Sequence, residues 1–318
     1  MSGNTRYLIR LASFTALIFV TFCVLRPGDF LSVENLSSMA YQFPEFAILA
    51  LAIHPAMLTG GIDLSIVSVA NLCGILAALT MRGTPPQLIL VAIGLALLVG
   101  ALCGIFNGIL VAVFRLPAIV ATLGTLQLFA GVSIILTKGS SITGISSVYA
   151  VVGNGSIFGI PIPLIIFLLV LAVIYVVTVR TPLGKQMRLY GTNSRAAPFA
   201  GIPTVRMLVL TYALSGITAS CAGLVILSRA NSANADYGTS YLLLSVLINI
   251  LAGVNPNGGS GTVFGLVLAV LSLQFLSSGL NLLAVNNFAR DLLNGALLVS
   301  VMIVNELQGR IRPRRTAG

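Results

Sequence analysis

Ten apolar runs divide this chain, and most are long enough to cross a bilayer as helices. They fall at residues 8–25, 44–59, 64–81, 87–114, 118–137, 163–179, 207–228, 241–253, 263–285 and 291–306. A helix needs roughly 17–25 apolar residues to cross ~30 Å of hydrocarbon. Nothing in that solvent can bond a free backbone N–H or C=O, so the spans must be helical. Of the 318 residues, 57% are hydrophobic and 8% charged, against about 25% charged in soluble domains. The expectation is an all-α, polytopic membrane protein: one transmembrane domain over residues 1–318, with about ten spans.

Charge placement orients the spans. Residues 180–206 hold Arg180, Lys185, Arg188, Arg195 and Arg206 with no Asp or Glu, between two apolar runs. Arg6 precedes the first run and Arg10 lies at its start; Arg310, Arg312, Arg314 and Arg315 follow the last. Lys and Arg are kept on the cytoplasmic side during insertion. Six runs separate the basic N-terminus from the central stretch and four separate that stretch from the basic C-terminus, so all three share one side. Both termini are expected in the cytoplasm. The outward connections are then residues 26–43, 82–86, 138–162, 229–240 and 286–290. The chain runs past Arg26-Pro27-Gly28-Asp29 without a small-x-small cleavage site, so its first run reads as an uncleaved span.

The net charge of +10 sits at span ends and not on a polar face, which argues against nucleic acid. Cys23, Cys73, Cys103 and Cys221 all lie inside apolar runs, with no CxxC, and read as small core hydrophobes. With a single histidine, no metal site is expected. No GxxxxGK[ST] occurs, so the chain has no nucleotide-hydrolysing motor of its own and binds no cofactor. It shows no paired carboxylates and no credible nucleophile–base pair, so no catalytic residues and no enzyme are expected.

Three stretches invite function. In Thr59-Gly60-Gly61-Ile62-Asp63-Leu64-Ser65, a carboxylate stands between apolar runs, where it is costly unless paired or hydrated. Two compatible readings stand: Asp63 caps a helix starting at Leu64, and Asp63 lines a pathway. In the central stretch, Gly191, Asn193 and Ser194 precede Arg195, Ala196 and Ala197, a helix start, while Gly201 and Pro203 end it. This predicts a helix of about two turns on the cytoplasmic side; the plainer reading is a solvated loop. The third, residues 253–261, holds Gly258-Gly259-Ser260-Gly261 and reads as a turn between spans. The runs at 44–59 and 241–253 are short and each meets a Gly-rich break, as broken helices beside a solute pathway do. Asn107, Thr122, Thr125, Gln127, Asn249, Gln274, Asn281 and Asn294 are scattered inside the spans, as helix glue or as solute contacts. His54, the one histidine, reads as structural beside a kink or as a proton relay.

The Gly-Gly-Ile-Asp-Leu-Ser motif, the loop at 191–202 and the Gly-Gly-Ser-Gly segment occur in this order in the ribose-type permeases. These are the membrane subunits of ABC importers for simple sugars, and the chain resembles them over residues 31–304. It resembles the autoinducer- and pentose-type members most. The resemblance implies a multi-pass protein of the bacterial inner membrane, surrounded by lipid. It also implies three partners: a second permease chain, identical or a sister, an ABC ATPase subunit carrying ATP and Mg, and an extracytoplasmic solute-binding protein. The short stretch at 193–201 would be the coupling helix seated in the ATPase. The substrate pathway would include Gly60, Gly61, Asp63, Ser65, Asn107 and Thr122; the coupling loop would be Gly191, Asn193, Arg195, Ala196, Ala197 and Gly201. The chain departs from the pattern at His54-Pro55, at Val67 where Gly is common, at Arg195 where an acid is favoured, and at Ala252 where Gly is common. The expected activity is import of a sugar-like solute by alternating access, driven from outside the chain. The alternative is a proton-coupled secondary transporter of a small polar solute, using Asp63, Glu45 or Asp291.

Overall fold

The computed structural model describes residues 3–83, 85–286, 288–290, 292–297, 299–300 and 303. The tenth run is helical where it is described, but Asp291 and Glu306 lie outside the described residues, as does the basic C-terminal stretch. Twelve α-helices are described up to Leu282: α1 (Gly3–Leu25), α2 (Pro27–Phe30), α3 (Val33–Leu58), α4 (Ile66–Met81), α5 (Ile89–Ala112), α6 (Ala118–Thr137), α7 (Ser147–Asn154), α8 (Ile162–Tyr175), α9 (Pro182–Thr192), α10 (Thr204–Ala230), α11 (Thr239–Leu251) and α12 (Val263–Leu282). A two-residue hairpin, β1 (Ser156–Ile157) with β2 (Ile160–Pro161), pairs Ile157 with Ile160. Among the described residues, seven helices are long and apolar enough to cross a membrane, α8 counting with the wide π-turn that carries it on to Arg180.

Two helices fall short, α11 as its short run predicts and α4 although its run at 64–81 reads as an ordinary span. At 1.5 Å per residue, the 16 residues of α4 and 13 of α11 reach about 24 and 20 Å, less than the hydrocarbon layer. The run at 44–59 is instead corrected to a 26-residue helix. Ser32 caps it by accepting from the Asn35 N–H at 3.1 Å, Glu34 favours its first turn, and it carries both Pro44 and Pro55 inside. Its first third is polar, so an apolar count begins too late.

The helices sort into a core and a rim. Of the span windows, 61% of α3 and 67% of α10 are buried, against 17% of α1 and 22% of α8. The rim helices turn leucine, isoleucine and valine outward, as a lipid-facing surface requires. Helix α10 is the hub and packs along α3, α4, α5 and α7. Small residues bring it close. A Cβ at Gly100 of α5 would fall 2.6 Å from the Gly216 carbonyl, one at Gly108 2.6 Å from Val209 Cα, and one at Gly104 would collide with the Tyr212 carbonyl. On α4, Ala70 meets Gly223 backbone to backbone. Without a hydrophobic drive between helices in lipid, close backbone approach of this kind holds spans together.

Candidate functional site

Helix α3 ends at Leu58, and the chain turns through Gly60 at φ +81°, a left-handed conformation that glycine adopts without strain. The break that follows gathers side chains from four elements. Asp63, 1% exposed, accepts at Oδ1 from the Ser65 N–H (3.0 Å) and hydroxyl (2.7 Å). Its Oδ2 accepts from the Ser215 hydroxyl of α10 at 2.8 Å. Asn107 of α5 donates from Nδ2 to Ser65 Oγ at 2.7 Å, and the Thr122 hydroxyl of α6 donates to the Ile62 carbonyl at 3.0 Å. Gly61 is glycine for space: a Cβ there would lie 2.5 Å from the Tyr212 hydroxyl and 3.0 Å from Ala118 Cβ. The Tyr212 hydroxyl and Asn107 Oδ1 are buried with no hydrogen-bond partner among the described residues.

The structure thus brings Gly61, Asp63, Ser65, Asn107 and Thr122 together, while Gly60 sits on the exposed outer edge of the same break. It corrects the capping role. Helix α4 begins at Ile66, not Leu64, and Ser65 is its cap position. Asp63 takes the Ser65 N–H two residues on, closing a turn that delays the helix, and its other oxygen ties the break to α10. Ser215 and Tyr212 are the partners that sequence reasoning missed. The Gly100-x-x-x-Gly104-x-x-x-Gly108 stripe on α5, which presses on α10 at Tyr212, is the signal that points to them.

The three motif stretches meet at one place. The Gly259 N–H donates to the Leu58 carbonyl at 3.0 Å. A Cβ on Gly258 would lie 2.6 Å from the Gly60 nitrogen and 2.7 Å from Gly191 Cα, and one on Gly191 would strike the Leu58 carbonyl. Arg188 of α9 donates from Nη1 to the Gly261 carbonyl at 2.8 Å; burial lowers its pKa from the ordinary arginine value. The end of α9, the Asp63 break and the Gly-Gly-Ser-Gly loop therefore touch through bare backbone. The 11-residue helix α9 was not foreseen, because the basic stretch carries few apolar residues to betray it.

Residues 193–201 correct a second expectation, since they form successive turns and not a regular helix. Asn193 Oδ1 accepts from the N–H groups of Arg195 (3.1 Å) and Ala196 (3.0 Å), so the stretch starts as a capped helix does. With the cap at Asn193, Pro198 falls beyond the first turn and lacks the N–H that would continue the ladder. Gly201, at φ +75°, closes the stretch: its N–H reaches the Pro198 carbonyl (3.0 Å), and the Ile202 N–H reaches the Ala197 carbonyl (3.2 Å). This is the glycine-terminated double bond of a helix end. Ala197 is buried, while Phe199 beside it is 94% exposed.

At the opposite end of α3 lies a cavity of about 700 Å³ between α3, α11, α12 and the residues Arg290, Asn294 and Gly295. Glu45 lines it, with Oε1 2.9 Å from Arg229 Nε in an ion pair whose angle falls short of a hydrogen bond, and Oε2 accepting from the Tyr241 hydroxyl at 3.1 Å. Arg229 Nη1 also donates to the Tyr41 carbonyl. Deeper in the core, His54 Nδ1 lies 3.2 Å from Asn249 Oδ1, whose amide donates to the carbonyls of Ala50 and Ser245. His54 is thereby tied to α11.

Residues 35–302 match the family described as branched-chain amino acid transport system / permease component. The chain belongs to this permease family. Similar proteins include the autoinducer 2 import system permease protein LsrD of Yersinia pseudotuberculosis serotype O:3 (strain YPIII), 36% identical over 279 residues, which are 86% of this chain and 83% of that protein. LsrD of Yersinia pestis (strain Pestoides F) is 35% identical over the same shares. The permease is a multi-pass inner-membrane subunit of the ABC-importer type, and seven of its described helices are long and apolar enough to cross a membrane. Family membership does not favour the proton-coupled alternative. Within the described residues, no group of three or more His, Cys, Asp or Glu could hold a metal ion.

Proposed function

We propose that the permease is one of two membrane chains of an importer that carries a simple sugar or a sugar-like solute into the cytoplasm by alternating access. A separate ATPase subunit binds ATP and Mg and drives it, and an extracytoplasmic binding protein delivers the solute. The class of solute rests on the autoinducer 2 import named for the relatives and on the three sugar-permease motifs. Ten spans and cytoplasmic termini complete the reading. It is supported by the meeting of residues 58–61, 191 and 258–261 at one end, since the positive-inside count assigns all three to the cytoplasmic side.

One observation carries the mechanism: the end of α9 abuts the Asp63 break with no side chain between them. A displacement of the turns at 193–201 moves Gly191, and Gly191 cannot move without moving Leu58 and Gly258. The break in turn holds α10 through the Asp63–Ser215 bond. The motor's stroke thus reaches the helix that packs along α3, α4, α5 and α7, and the pathway changes sides. Asp63, Ser65, Asn107 and Thr122 form the inner gate, with Gly60 and Gly61 as its hinge.

The reading is tested by purifying the tagged permease from gently solubilised membranes and identifying what accompanies it by mass spectrometry. Recovery of an ABC ATPase at two ATPase domains per two permease chains is expected, and it also tells a second copy from a sister chain. Recovery of the permease alone, in a preparation still active in uptake, would overturn the coupling.

A further inference from the structure

We infer that the cavity beside Glu45 is a binding site for a small, neutral, polyhydroxylated solute at the end of the permease remote from the coupling turns. The inference deepens the sugar-like reading of the cargo and rests on it. The cavity's volume of about 700 Å³ falls within the ~300–1,000 Å³ of small-molecule sites. It is walled by the ends of the segments at 26–43, 229–240 and 286–290, which the charge count turns outward: Gln42, Arg229, Ser240 and Arg290 all line it.

Gln274 decides the matter. It lies on α12, lines the cavity, is 3% exposed, and has no side-chain hydrogen bond to any other described residue. A buried amide carries two donors and an acceptor that need partners, and the cavity is the direction left for them. A pair of neighbouring hydroxyls, each both donor and acceptor, matches that demand. Asn294 adds a second amide to the lining. The rings of Phe46 and Tyr241, 6.1 Å apart, give the site an apolar side for the C–H face of a sugar ring.

Charge selects a neutral solute. Among the described lining residues Glu45 is the one carboxylate, and it is held by Arg229 and Tyr241. An ammonium group would have to displace Arg229 from Glu45, and an anion would have to draw Arg229 from Glu45 or Arg290 from Ser277, to which its Nη1 donates at 3.3 Å. A hydroxyl does neither: it donates to a spare lone pair of Glu45 while the ion pair stays closed. The same pair ties α10 to α3 at this end, so a bound solute touches the helix that carries Ser215 at the other.

Equilibrium binding of radiolabelled ribose, xylose and galactose to the transporter, purified with its ATPase but without its binding protein, tests the site. Saturable binding of at least one sugar is expected, weakened tenfold or more by Gln274→Leu and by Asn294→Leu. Phe158→Ala, at the fully exposed tip of the hairpin, leaves it unchanged. Asn294 is only half-buried, so its variant serves should Gln274→Leu not fold. Binding of equal strength in the parent and both variants would overturn the site and leave the sugar reading intact. So would absence of binding in a transporter that still takes up these sugars in cells. Failure of both binding and uptake for all three sugars would overturn the site and the sugar reading together.

Discussion

The two ends of the permease handle their carboxylates in opposite ways. At the break between α3 and α4, Asp63 takes three hydrogen bonds from Ser65 and Ser215, and Gly61 and Gly104 beside it leave no room for a Cβ. At the other end, Glu45 and Arg229 face a cavity of about 700 Å³ in which Gln274 keeps its amide unpartnered. The carboxylate at one end is closed by protein; the polar groups at the other are left for something else. Under the proposed function, the tight end carries the conformational work and the loose end recognition.

The largest effect should come from filling the tight end. Gly104→Leu drives a side chain into the Tyr212 backbone. Overpacking costs about 1–3 kcal/mol where a core yields, and more where it meets backbone. Loss of monodisperse protein on size exclusion is expected, whereas Leu243→Phe on the cavity wall should give wild-type yields. Equal behaviour of the two variants would erase the contrast between the ends.

Asp63→Ala comes next. It leaves the hydroxyls of Ser65 and Ser215 without their acceptor, at about 1–3 kcal/mol for each buried group that stays unsatisfied. A lowered midpoint in detergent and a fall in uptake on the order of tenfold are expected. Uptake and thermal midpoint both at parental level would remove the inner gate. Glu45→Gln sharpens the other side. Breaking a fully buried pair costs ~3–5 kcal/mol, but these side chains keep 14% and 22% of their exposure and Arg229 keeps the Tyr41 carbonyl, so ~1–2 kcal/mol is expected. The effect should appear in solute affinity before it appears in stability.

Gly201→Val puts a β-branched residue at φ +75°, strained by about 1–2 kcal/mol although nothing stands within 4 Å of its Cβ. Insertion and folding should survive, and uptake should be lost with ATP hydrolysis no longer stimulated by solute. Ala197→Trp, at a buried position of the same turns, should do likewise. The smallest effect is Arg195→Ala: exposed, it should move the thermal midpoint by less than ~0.5 kcal/mol equivalent, and change only the strength of ATPase recovery.

Much of this was legible before any coordinates. Long apolar runs report helices because lipid permits little else, and the short run at 241–253 is a short helix in fact. Glycine pairs beside Asp63 marked a break because a chain that turns back needs positive φ, and Gly60 has it. Hydropathy was silent about α9 and the polar first turns of α3, where capping and amphipathic burial decide the structure. It also could not bring Gly191 to Gly258, or Ser215 to Asp63, because neither partner looks unusual in its own stretch. Gln274 and Asn294 read as two polar residues among eight, and only their common cavity separates them from helix glue.

The Asp63–Ser215 bond spans 152 residues, and that distance is also a delay. A ribosome adding ~5–20 residues per second needs roughly 8 to 30 seconds to make the second partner after the first. Throughout that interval the carboxylate is in or near the insertion machinery with its α10 ligand unborn. Ser65, two residues on, is made almost at once and offers both an N–H and a hydroxyl to the same oxygen. The local turn is therefore a chaperone written into the sequence: it shelters a charge during biogenesis until the hub helix arrives to complete its shell.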